Sequence, residues 1–190
     1  MKTLLDSIKQ RRSIFPASYT GEPIAIRDLN QILEAGRWAP NHKKTEPWRY
    51  VVITGDARVR LSEFMTSQKA ISKGKPKSFK IKRLKEKFKK STAIILIFMH
   101  RDPKERIPEW EEIAAVSMSV QNMWLTAHDL GHGCYWSSPK KGVDMSQFDG
   151  VPATQHDSFL GFLYLGKVDE QPSDLPDRKS LDEVVTFLES

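Results

Sequence analysis

The chain has 190 residues, 39% hydrophobic and 28% charged, with a single cysteine. That is enough for one domain, read here as residues 1–190, whose core needs neither a disulfide nor a structural metal. A lone Cys134 excludes an internal disulfide, and five mostly scattered histidines without a second thiol exclude a structural zinc site. The formal charge is +6, but residues 69–90 hold eleven basic residues against Glu86 alone, a local +10 that leaves the rest of the chain at −4. The charge is therefore a strip and not a global property.

In chain order, Leu4, Leu5 and Ile8 mark a first helix running into Arg11-Arg12-Ser13. Leu29, Ile32 and Leu33 mark a second, ended by Gly36 and Pro40. Residues 48–54 are β-branched and aromatic and meet a Gly55-Asp56 turn, which predicts a strand. Within the basic strip, Ile81, Leu84 and Phe88 form one helical stripe, so the strip reads as a solvated helix resting on the core. Residues 92–99 are continuously apolar, the pattern of a strand buried on both faces. The longest helical stretch, 109–130, carries many small residues and is expected at the centre of the fold, with Gly131 and Gly133 ending it. Short strands follow at 134–137 and 159–165, and Ser180 with Glu183 opens a last helix carrying Val184, Val185, Phe187 and Leu188. The interleaving lacks the cadence of a doubly wound sheet and predicts a three-layer α+β domain with a central mixed, mostly antiparallel sheet.

The apolar run at 93–99 falls far short of the roughly 18 residues of a membrane span, and the N-terminus turns polar too early for a signal peptide. The expectation is a soluble protein of a reducing compartment, the cytoplasm. Neither the dinucleotide fingerprint nor the P-loop occurs, and no nucleophile elbow is present. Cys134 lies inside an apolar strand signal and reads as a buried, inert thiol. His128 and His132 stand four apart without an acidic third ligand, so no metal is expected. Three polar constellations remain. Arg11-Arg12-Ser13 offers two guanidinium forks and a hydroxyl, which suits a phosphomonoester. The turn at 39–48 concentrates Asn41, His42, Lys43 and Lys44 between two prolines. The third, at 133–139, ends a strand with Trp136, Ser137 and Ser138.

In this order and spacing the three resemble the FMN-dependent nitroreductase family, and the resemblance runs from Leu5 to Val185. It is carried by Arg-Arg-Ser after the first helix, Ala35-Gly36 and Ala39-Pro40 after the second, Pro47-Trp48 before a strand, residues 159–166, and Arg178-Lys179 before the last apolar segment. The resemblance implies a homodimer with FMN in clefts built from both subunits and NAD(P)H as electron donor. It implies that Arg11, Arg12 and Ser13 hold the flavin phosphate together with Arg178. Trp136, Ser137 and Ser138 would lie against the ring, and His42 with Trp38 would approach from the partner chain. Trp38, Trp110 and Trp124 otherwise read as core or dimer packing. Glu46 departs from the family's usual Gln and is left out of the site. The implied activity is two-electron, ping-pong reduction of nitroaromatics, quinones or similar flat electrophiles. The same frame also suits a flavin dehydrogenase, dehalogenase or storage protein. A nucleic-acid module using the basic strip is the weakest reading, because no RNP, KH or finger pattern accompanies it.

Overall fold

A computed structural model describes residues 3–73, 78–138 and 143–188, the side chains of 68–73 excepted. The helices are α1 (Leu4–Gln10), α2 (Ile26–Arg37), α3 (Ala57–Lys73), α4 (Ser78–Lys90) and α5 (Glu109–Asp129). The strands are β1 (Trp48–Ile53), β2 (Ala93–His100), β3 (His132–Ser137) and β4 (Asp157–Lys167), joined in the order β1-β2-β4-β3. Every pairing among the described residues is antiparallel. The expected α+β layering is present; a parallel pair is not found among these four strands.

Strand β2 explains the layers. It is buried along nearly its whole length because successive side chains enter two different cores. Ile95, Ile97 and Met99 pack with Leu29 and Ile32 of α2 and with Val116, Val120 and Met123 of α5. Ile94, Leu96 and Phe98 face Leu61 and Met65 of α3 and Phe88 of α4. Helix α3 gave little sequence signal, since Leu61, Phe64 and Met65 are its main apolar contacts. Helix α5 can approach α2 closely because position 36 has no side chain: a Cβ there would stand 2.9 Å from Ser119 Oγ, which donates to the Gly36 carbonyl at 2.6 Å.

Two expectations are corrected. Gly131, with φ 79°, ends α5, but Gly133 belongs to β3. The last helix is only a 3-10 turn, Leu181–Glu183. Its capping box forms, yet Val184, Phe187 and Leu188 are exposed and have no surface to pack on within one chain.

Gly133 and Gly166 are cross-strand partners, and together they make a flat cradle for the buried ring of Tyr19. A Cβ on Gly166 would lie 2.3 Å from Tyr19 Cδ2, and one on Gly133 2.5 Å from Cε1. Gly166→Ala should therefore lower stability by about 1–3 kcal/mol, the range for overpacking a filled core. Urea unfolding would show this as a lower midpoint with an unchanged slope.

Candidate functional site

The segment after α1 is drawn onto β3. The Ile14 amide donates to the Cys134 carbonyl at 3.1 Å, and the Phe15 and Tyr135 rings meet at 4.6 Å. The Tyr19 hydroxyl proton is shared between the carbonyls of Ile14 and Tyr164, at 2.9 and 3.1 Å. This anchoring sets Arg11 and Ser13 beside the strand that ends in Trp136, Ser137 and Ser138.

Arg11 caps α1 and lies with its guanidinium carbon 4.6 Å from the centre of the Trp124 indole. Among the described residues its guanidinium makes no hydrogen bond, and neither does the exposed Ser13 hydroxyl. Burial pushes the Arg11 guanidinium below its ordinary range; nearby Cys134 opposes that shift, while Arg12 and Arg178 add to it. Arg12 and Arg178 thus both act on Arg11, and no carboxylate is among the groups acting on it.

Arg12 differs. Its Nε and Nη2 donate to the Asp174 carbonyl at 3.0 and 2.6 Å, and its Nη1 to the carbonyls of Lys9 and Arg11 at 2.6 and 2.8 Å. That fork ties the C-terminal segment to the end of α1 and is mostly spent, so Arg12 is a brace between the two. Arg178 makes one bond, from Nη1 to the Asp177 carbonyl at 3.1 Å. Trp136 is partly buried against the α2–α5 core, with an indole N–H that has no partner among the described residues. Cys134 is buried as expected, and burial pushes its thiol well up.

His42 stands elsewhere. Its turn leads into β1, at the sheet edge opposite β3, three strand spacings or about 14 Å away. Sequence reasoning missed the conformation of this turn. Lys43, Lys44 and Glu46 all have left-handed backbones, with φ of 50°, 52° and 43°. Each costs about 1–3 kcal/mol in a residue other than glycine. The turn is closed by the Glu46 amide on Asn41 Oδ1 at 3.1 Å, by Lys43 Nζ on the Arg106 carbonyl at 3.2 Å, and by His42 Nδ1 against Glu111 Oε2 at 2.6 Å. Trp38 and Trp110 are exposed, 78% and 67%, which overturns the core reading for both within one chain; Trp124 does pack partly inside. His128 and His132 take separate partners, Gln171 and Asp28.

Two cavities of about 330 and 240 Å³ adjoin Arg58, and neither is lined by Arg11, Ser13, Trp136 or His42.

These features sit on a nitroreductase frame. The nitroreductase family model matches residues 8–167, and the chain belongs to that family. It is 31% identical over 163 residues to the Escherichia coli (strain K12) protein named putative NAD(P)H nitroreductase YdjA, covering 85% of this chain and 86% of that one. A nitroreductase-like family protein from Bacillus cereus superposes with a TM-score of 0.80 at 27% identity, over 100% of this chain and 98% of the other. A Desulfovibrio desulfuricans protein, described as a putative nitroreductase in complex with FMN, superposes at 0.70 with 25% identity, over 100% and 99%.

The loop that anchors Lys43 is itself held by charge. Asp102 Oδ2 accepts from Arg106 Nε at 2.6 Å and from its amide at 3.2 Å, while Arg101 and the Asp102 amide bind the buried Glu112. The Arg106 guanidinium holds the Asp102 carboxyl at about 2, below the usual carboxylate range near 4. Because the folded value is the lower one, this contribution is present above pH about 4 and lost as pH falls towards 2. Asp102→Asn should lower stability at neutral pH and shrink the acid-side loss in that window, as measured by denaturant unfolding across a pH series.

Proposed function

We propose that the chain is one subunit of a dimeric FMN-dependent oxidoreductase whose flavin site is shared by two chains. The observation that carries this is the Arg11 guanidinium, stacked on Trp124 with its donors unused beside a free Ser13 hydroxyl and Arg178. A phosphate fits that donor set: it accepts several charge-assisted bonds and neutralises the convergent positive charge. The buried, unpartnered Trp136 indole N–H marks where the adjoining strand end would meet the rest of the ligand. The YdjA name and the FMN-bound D. desulfuricans protein support the same cofactor and donor.

When bound, FMN would supply two-electron chemistry between NAD(P)H and a flat electrophile such as a nitroaromatic or quinone, in alternating half-reactions. Arg11, Ser13 and Arg178 hold the phosphate, and Arg12 keeps the C-terminal segment in place so that Arg178 stays near. Trp136, Ser137 and Ser138 offer an aromatic edge and backbone donors along the ring. His42 and Trp38 lie across the sheet from this group, so a partner chain is needed to bring their equivalents to it. The exposed apolar residues of α5, Trp110, Ile113 and Met118, together with Leu4 and Leu5 of α1 and Leu181, Val184 and Phe187 of the C-terminal segment, make the surface for that partner. The acceptor is a small molecule selected by slot width, and NADH or NADPH serves as donor. Among the described residues no helix is long and apolar enough to cross a membrane, and the proposed location is the cytoplasm.

Sedimentation velocity recorded in the flavin band tests the site. The wild type should carry flavin in a two-chain species, and the Arg11→Ala/Ser13→Ala variant should sediment the same way without colour, having lost charge-assisted bonds worth roughly 1.5–3 kcal/mol each. Full FMN content in the variant refutes the phosphate assignment; flavin travelling with a single chain refutes the shared site. The reaction is tested by anaerobic stopped-flow. NADH or NADPH should bleach the bound flavin within seconds and a nitroaromatic or quinone restore it. A flavin that neither nicotinamide bleaches would make storage or binding the better reading.

A further inference from the structure

His42 and Glu111 come from different parts of the chain, and their contact is the shortest of the three that close the strained turn. The other two end on backbone groups or on Asn41. Only this one ends on the ring that the proposed function places at the flavin cleft. An ionised carboxylate offers acceptors and no donor, so the ring nitrogen facing it must donate. Nδ1 therefore carries hydrogen, and Nε2 is the one ring nitrogen left to exchange a proton with a bound molecule. The burial is uneven in the same sense: the Glu111 side chain is 25% exposed, the imidazole 56%. The carboxylate is lodged on α5 and the ring projects from it.

The geometry points to Glu111 as a positioning residue for His42. It fixes the Nδ1–H tautomer and the orientation of the ring, and so presents Nε2 to whatever occupies the cleft. This rests on the placement of His42 in the shared cleft given above. Two of the contacts that close the turn, on Asn41 and on the Arg106 carbonyl, do not involve the carboxylate.

Two readouts on the FMN-loaded protein test this. In long-range proton–nitrogen NMR, with the His42 signals identified by their loss in His42→Ala, the neutral wild-type ring should show a hydrogen-bearing Nδ1 and a bare Nε2. Glu111→Gln and Glu111→Ala should move both nitrogens towards averaged values. Unchanged shifts overturn the pairing, and full flavin content in both variants keeps the comparison between folded proteins. In turnover with NADH and a benzoquinone, Glu111→Ala should lower kcat several-fold with little change in KM. The double variant with His42→Ala should fall no further than His42→Ala alone, because the two residues act as one unit. An equal loss from Glu111→Ala whether or not His42 is present overturns the positioning role. Wild-type turnover in His42→Ala overturns the cleft placement itself, while the ring shifts still decide the pair.

Discussion

A single aromatic ring holds the segment after α1 in place. Tyr19 lies flat on a pair of facing glycines, Gly133 and Gly166, and shares its hydroxyl proton between the carbonyls of Ile14 and Tyr164. The ring is buried among the α3–α4 core residues, while the chain just before it runs along the outer edge of β3. The segment before it is thereby held against β3, where the Ile14 amide meets the Cys134 carbonyl. The basic helix shares in this. Lys87 Nζ lies 3.8 Å from the centre of the Tyr164 ring, and Lys90 donates to the Ala17 carbonyl. Two of the lysines that look like a plain solvated face therefore make structural contacts, Lys90 with the segment after Arg11 and Lys87 with a ring of the sheet beneath it.

The second constraint is the sheet's own geometry. Four antiparallel strands leave two edges, and the chain places different chemistry on each. Cations and a free hydroxyl line the β3 side, while an imidazole on a strained turn stands before β1. About 14 Å of sheet separates them, so the two groups do not meet across the sheet of one chain. The apolar surfaces tell the same story energetically. Exposed large apolar residues gather on α1 (Leu4, Leu5), on α5 (Trp110, Ile113, Met118) and on the C-terminal segment (Leu181, Val184, Phe187).

Much of this architecture can be read from the sequence, and the parts that cannot share a physical reason. Strand β2 and the helices α2 and α5 are legible because burial writes their periodicity directly: an unbroken apolar run, or one apolar face. The helix expected after Ser180 is misread because a capping box states where a helix could begin, whereas its persistence depends on a surface to pack against. Arg12 is hard to read for a related reason. Beside Arg11 and Ser13 its guanidinium looks like a free fork until its donors are found on the carbonyls of Lys9, Arg11 and Asp174. Gly133 looks like a second helix stop after Gly131, and only its partner across the sheet reveals a cradle for a ring 114 positions earlier in the chain.

The turn at His42 lies beyond such reading because its left-handed residues are two lysines and a glutamate, with no glycine to announce them. A conformation that costs free energy at three of four successive positions persists only if the surroundings determine it more strongly than the strain opposes it. Those surroundings are the start of α5 and the loop before it. Glu111 meets the imidazole, and the Arg106 carbonyl receives Lys43. Asp102 with Arg106, and Glu112 with Arg101, fix the loop that carries that carbonyl. Acidic residues in a first helical turn are favoured by the macrodipole alone, which is why the sequence makes them look ordinary. Here Glu112 anchors the preceding loop and Glu111 meets the imidazole, so the same two carboxylates that suit the helix end also keep the His42 turn in a shape it would not adopt unaided.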